Sequence, residues 1–94
     1  MIAITAKLNV KRGCEVQFEK VMLDLVAKVN KNESGNLLYK LCRDSDGKYL
    51  VMELYEDAAA VEAHVKSEHV KASGPNFRGI MGGPPEITRM DVIG

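Results

Sequence analysis

The chain contains no tryptophan, and its three tyrosines and two phenylalanines make up only 5% of 94 residues. Packing must therefore rest on aliphatic side chains, and each tyrosine in an apolar setting becomes a candidate for a special role. Excess charge is also missing: thirteen Lys and Arg offset thirteen Asp and Glu. Without a basic surplus there is no electrostatic footprint for nucleic acid, and no nucleic-acid partner is expected. No apolar run approaches the roughly 18 residues of a membrane span, so no membrane partner is expected either. The opening MIAITAKLNVKRG has no basic start and no long apolar stretch, so it is not read as a secretory signal. Cysteine is scarce. Cys14 and Cys42 stand far apart and outside any C-x-x-C spacing. That argues against a structural disulfide or zinc site and fits reduced thiols in a cytoplasm.

What is present is an ordinary globular composition, 46% hydrophobic and 28% charged. The length predicts one small domain over residues 1–94. Such a chain buries roughly two-thirds of its unfolded surface, enough to fold alone, although a partner would help.

The hydrophobic period changes along the chain. Ile2, Ile4, Ala6, Leu8 and Val10 alternate with smaller or polar residues, which predicts a strand over 2–10. Phe18, Val21, Met22, Leu25, Val26 and Val29 then recur at helical spacing, with Gln17, Glu19, Lys20, Asp24 and Lys28 on the other side. This predicts an amphipathic helix over 15–31. The run Asn32-Glu33-Ser34-Gly35 ends it, with Gly35 available for a left-handed turn. Two strand-length apolar runs, 36–43 and 48–55, flank Asp44-Ser45-Asp46-Gly47, a hairpin turn. Asp57 is placed to cap a helix over 58–66, and Ser67 to cap or kink its continuation through Lys71. Pro75 suits the start of a short helix that places Phe77, Ile80 and Met81 on one side. Gly82-Gly83-Pro84-Pro85 stops the chain before a last strand over 86–93. The order β-α-β-β-α-β is the ferredoxin-like α+β arrangement, a four-stranded antiparallel sheet with helices on one face.

The third strand points to a partner. Leu50, Met52 and Leu54 fall on one side and Val51, Glu53 and Tyr55 on the other, so both sides are largely apolar. Helices cover one face only, and a sheet with one wet face should alternate apolar with polar. A homodimer packed through the second face resolves the conflict.

Both histidines lie in Glu62-Ala63-His64-Val65-Lys66-Ser67-Glu68-His69. Val61, His64 and Val65 share a helical face, so His64 is expected to point inward, as a packed core residue or as a pocket residue. His69 lies five positions on, roughly 140° around an unbroken helix. That spacing does not place two imidazoles on one ion, no third ligand is indicated, and no metal is expected. Glu53, between Val51 and Tyr55, would be a carboxylate under the helix of His64. It needs a partner such as Arg43, Arg89 or a backbone donor, or else it holds a ligand or a proton. Tyr39 and Tyr55 are either packing residues or phenol tips in a cavity. Asn9 is a polar strand residue expected at an edge or in solvent. Gly82-Gly83 lacks the context of a phosphate loop.

Several of these positions occur together in a known pattern. The series Glu33-Ser34-Gly35-Asn36 with Tyr39, then Glu53-Leu54-Tyr55-Glu56-Asp57, then Ala60, Ala63-His64, Ser67 and His69, then Gly83-Pro84, resembles the antibiotic biosynthesis monooxygenase superfamily. The resemblance implies a dimeric, ferredoxin-like α/β barrel with a small-molecule pocket between sheet and helices. It implies oxidation of a quinol-like or phenolic compound by molecular oxygen with no metal or flavin cofactor. His64, Glu53 and Tyr55 would then be catalytic, and Tyr39, Asn9 and His69 would contact substrate. Related autoinducer isomerases suggest an alternative, isomerisation of a phosphorylated hydroxyketone by Glu53 and His64 with Lys40 or Arg78 near the phosphate. A non-catalytic ligand-binding dimer is a third reading. The haem-degrading relatives use an Asn, Trp, His set that a chain without tryptophan does not complete.

Overall fold

The computed structural model describes residues 1–94. In chain order the elements are β1 (Ile2–Leu8), α1 (Glu15–Asn32), β2 (Asn36–Arg43), β3 (Tyr49–Tyr55), α2 (Ala58–Lys66), α3 (Glu68–Ser73), a 3-10 turn (Gly74–Phe77) and β4 (Glu86–Asp91). The strands form one antiparallel sheet in the order β2-β3-β1-β4. This is the ferredoxin-like α+β fold that the pattern predicts. β1 stops two residues short of the predicted end, because Asn9 leaves the ladder. Its carbonyl accepts the Gly82 N–H at 2.7 Å, and Val10 keeps only a lone bridge to Met81.

Helix α1 buries Phe18, Met22, Leu25 and Val29 at the predicted spacing. Phe18 is fully enclosed, its ring 4.7 Å from that of Tyr49 and 6.1 Å from that of Phe77. Such tilted aromatic contacts add to the gain from apolar burial. At the helix start the Glu15 carboxylate accepts the Gly13 N–H at 2.7 Å, an acidic group where the helix dipole favours one. The hairpin turn forms as read: Gly47 adopts φ +81°, and the Asp44 side chain accepts the N–H groups of Asp46 and Lys48 at 2.9 Å.

Gly35 departs from expectation. Its backbone is not left-handed, and what it supplies is space. A Cβ built there would sit 2.6 Å from the Cβ of Ala60, in the first turn of α2. Only glycine lets α2 come this close to the start of β2. Asp57 caps α2 as predicted, accepting the Ala60 N–H at 2.8 Å. Val61 is buried, whereas Val65 is exposed, which corrects the shared inward face. His64 and Val65 flank Val61 about 100° apart on the helix. Only the His64 flank turns toward the end of α1.

The three helices occupy one face of the sheet. The other face is bare: Leu38, Leu54, Ala3 and Met90 form one cross-strand row, and Met52 stands in the next. All six residues of β4 are exposed. No helix is long and apolar enough to cross a membrane.

Candidate functional site

Between helices and sheet lies a cavity of about 340 Å³, with ten hydrophobic residues among the fifteen that line it. Tyr39, Glu53, His64 and Ser73 supply its polar groups. No lysine or arginine reaches it. An apolar chamber with a few convergent polar groups is the usual form of a small-molecule site.

His64 enters the cavity from α2, its ring packed against Tyr39 (centroids 5.3 Å apart) and Tyr55 (5.6 Å). Its Nδ1 lies 2.9 and 3.0 Å from the two carboxylate oxygens of Glu33. Glu33 caps the end of α1, where its backbone N–H bonds to the Val29 carbonyl at 3.1 Å. An ionised carboxylate only accepts, so Nδ1 carries the proton and donates a hydrogen bond to Glu33. In the neutral ring this leaves the Nε2 lone pair free. Nε2 has no protein partner, and no buried side-chain nitrogen or oxygen goes unpartnered, so Nε2 opens onto accessible space.

His69 corrects the spacing argument. The helix is not continuous: Ser67 adopts an extended conformation between α2 and α3. Its hydroxyl donates to the His64 carbonyl at 2.7 Å and accepts the Val70 N–H at 3.4 Å. The turn swings His69 back, and its Nε2 donates to Glu33 Oε2. Two imidazoles expected on different sides of one helix therefore converge on a single carboxylate. The expectation that no third group joins them fails for the same reason, since Glu33 lies more than thirty positions upstream of both. His69 does not line the cavity; it borders a small surface cleft beside Asp24 and Asn76.

Glu53 stands opposite Tyr39 in the β2–β3 ladder and lines the cavity. Its partner is neither arginine considered from the sequence. The Tyr55 hydroxyl donates to it at 2.6 Å, while Arg43 pairs with Glu19 at 3.0 Å. Burial pushes the Glu53 carboxyl above the usual carboxylate range; the Tyr55 hydrogen bond and the charge of His64 only partly oppose this. Burial and the negative charge of Glu53 hold the Tyr39 phenol well above its ordinary value, so it keeps its proton and remains a donor. Tyr55 is raised as well, by burial and by its bond to Glu53. Tyr55 is fully buried with Ile2, Ile4 and Val61 and does not line the cavity, so it positions Glu53 and does not face a ligand. Asn9 is elsewhere: its side chain packs on Gly82 and Gly83 and borders a separate hollow with Lys7 and Lys48.

The raised carboxyl has a consequence for stability. A group whose folded pKa exceeds its unfolded value contributes fully below the unfolded pKa, and that contribution is lost as pH rises through the folded pKa. Ionised Glu53 therefore burdens the fold at neutral pH. Glu53→Gln, whose amide oxygen can still accept from Tyr55, is expected to melt higher than wild type at pH 7.5. The gain should vanish at pH 4, and an equal difference at both pH values would contradict this account.

Glu33 is a site residue that the local sequence presents only as part of a turn. The signal was its place two residues before Gly35, the residue that admits α2.

Residues 1–74 match the model of the antibiotic biosynthesis monooxygenase family. A Caulobacter crescentus protein proposed to be an antibiotic biosynthesis monooxygenase is similar over 99% of this chain and 90% of its own, with 39% identity and a TM-score of 0.93. A Nitrosomonas europaea protein with the same proposed designation superposes with a TM-score of 0.91 over 99% of each chain, at 16% identity, which is a likeness of fold alone. No curated protein matches significantly.

Proposed function

The chain belongs to the antibiotic biosynthesis monooxygenase family, and from that membership we propose that it is a cofactor-independent monooxygenase acting on a quinol-like or phenolic small molecule. The observation that carries this reading is the state of His64. One nitrogen is held by a carboxylate, the other is unpartnered and accessible, and the residue lines a largely apolar cavity. That is the arrangement of an oriented general base.

In the proposed reaction Nε2 takes the proton of a ring hydroxyl. The resulting phenolate is electron-rich enough to pass electrons to dioxygen. A quinol plus O₂ has the atoms of a hydroxyquinone plus water. One oxygen forms a C–O bond to the ring, the O–O bond breaks, and the second oxygen leaves as water with the proton held by His64. The substrate supplies all four electrons, so no separate reductant is consumed. Tyr39 donates a hydrogen bond to a substrate oxygen. Glu53, held by Tyr55, supplies either an acceptor or a donor as its proton comes and goes. The apolar walls keep water from the activated ring.

The isomerase reading fits less well. A phosphorylated substrate calls for a cation, and the cavity lining contains none. Lys40 pairs with Met52 in the sheet and so shares the bare face, and Arg78 is not among the lining residues. Asn9 and His69, which the resemblance implies as substrate contacts, receive no such role in this proposal. His69 acts on the far side of Glu33.

A homodimer through the bare sheet face, completing an α/β barrel, belongs to the same proposal. Support comes from the apolar row of Leu38, Leu54, Ala3 and Met90, which a soluble monomer would leave wet. Sedimentation at micromolar concentration should give twice the 10.4 kDa chain mass; a monomer at that concentration would end the dimer proposal. Cys14 and Cys42 are both free thiols, which accords with a cytoplasmic location. The function itself is tested by oxygen uptake with a panel of dihydroxynaphthalenes and related quinols. Uptake above the spontaneous rate, with hydroxyquinone as product, is expected. No uptake across the panel would remove the assignment.

A further inference from the structure

We infer that Glu33, His64 and His69 form a binding site for a divalent transition metal ion of the zinc type. Nδ1 of His64, Nε2 of His69 and a carboxylate oxygen of Glu33 all lie within 4.8 Å of one another. Two imidazoles and one carboxylate are a donor set that zinc, cobalt and nickel favour over magnesium or calcium. Donors bound to one such ion at about 2.0–2.2 Å stand at most roughly 4.4 Å apart, so small side-chain rotations bring the three donors to the separations one ion requires.

The cluster is preformed. Its ligands come from the end of α1, from α2 and from α3, and the Ser67 turn fixes the angle between the last two. Exposure of the side chains is 8% for Glu33, 12% for His64 and 13% for His69, so they are sheltered yet not sealed. Neither lysine nor arginine pairs with Glu33; its only ion-pair partners are the two histidines. A dication would meet one negative charge and two neutral donors with no cation to displace. Three protein ligands would leave a further position for water.

Binding has a consequence for the imidazole. Nδ1 now points its hydrogen at Glu33. To donate its lone pair to a metal it must lose that proton, and the neutral ring then carries hydrogen on Nε2. The free acceptor at the cavity disappears. A bound ion would thus switch off the base assigned above. The binding stands apart from the monooxygenase reading; the inhibition rests on it.

The test uses the untagged chain stripped with a chelator and then dialysed. Co²⁺ is followed by its visible absorption and Zn²⁺ by competition with a chromophoric chelator. Wild type should take up one equivalent of each. Glu33→Gln, which keeps size and hydrogen bonding, and His69→Ala should each bind at least about tenfold more weakly and lose the cobalt spectrum. Far-ultraviolet circular dichroism confirms that each variant is folded. Absence of a stoichiometric cobalt spectrum in wild type would overturn the site, as would wild-type affinity in both folded variants, which would place the metal on other donors. In the quinol assay, one equivalent of Zn²⁺ should abolish uptake and excess chelator restore it. Zinc bound at the triad without inhibition would leave the site standing and remove His64 as the base.

Discussion

Oxygen uptake by the His64→Ala protein should fall about 10²–10⁴-fold below wild type, the range over which a positioned general base accelerates proton transfer. No other group in the cavity is held as His64 is, with one nitrogen fixed by a carboxylate and the other unpartnered. Tyr39 is held protonated by burial and by nearby carboxylates, so it cannot act as a base near neutral pH. Glu53 can accept a proton, yet one of its oxygens is engaged by the Tyr55 hydroxyl at 2.6 Å. His64→Gln is the better-matched partner variant, because it fills more of the space and keeps a polar tip while lacking a titratable nitrogen. The loss should appear in kcat with a smaller change in KM, since the proton transfer belongs to the transition state more than to binding. The spontaneous reaction of quinol with oxygen sets the floor, so rates must be compared after subtracting it. Turnover within threefold of wild type in both variants would dismiss His64 as the base.

Gly35→Ala should be strongly destabilising, since among the glycines its added carbon would make the closest contact. Its Cβ would stand 2.6 Å from that of Ala60, and neither atom can rotate away. Either the β2 strand or the first turn of α2 must move, and overpacking of this kind costs about 1–3 kcal/mol. Against a total stability of about 5–15 kcal/mol that is a large fraction. The expected second effect is on activity. A shift of α2 carries His64 away from Glu33, and misplacement by about 1 Å can cost on the order of 10²-fold in rate. Gly74→Ala serves as the control: it lies in a right-handed region with nothing within 4 Å of the added carbon. Chemical denaturation of the two variants beside wild type reads the difference. Equal midpoints for Gly35→Ala and Gly74→Ala would refute the packing argument.

Periodicity carried most of the fold. The alternation over Ile2–Leu8 and the i, i+3, i+4 spacing from Phe18 to Val29 are signals of local geometry, and local geometry is what a sequence displays directly. The Asp44–Gly47 turn and the Asp57 cap were legible for the same reason, since each is decided within four residues. The site was less legible because its parts meet through packing. His64, Glu53 and Tyr39 do share one cavity, whereas Tyr55 stands behind it and Asn9 lies elsewhere. The position of His69 depends on one residue. Ser67 can continue a helix or cap a new one, and helical geometry extrapolated through it sends His69 the wrong way. Glu33 was hidden more deeply, because nothing local to a helix terminus says which distant imidazoles it will face.

The convergence on Glu33 also changes what activity would report about the state of the chain. Its three members come from the end of α1, from α2 and from α3, and Glu33 lies more than thirty positions from either histidine. A compact, loosely packed form could keep every helix, and so a near-native far-ultraviolet spectrum, while losing fixed side-chain contacts. In such a molten state the carboxylate and both imidazoles would be present without their shared geometry. The proposed catalysis would then vanish before secondary structure does, and oxygen uptake would be a finer gauge of tertiary order than helix content.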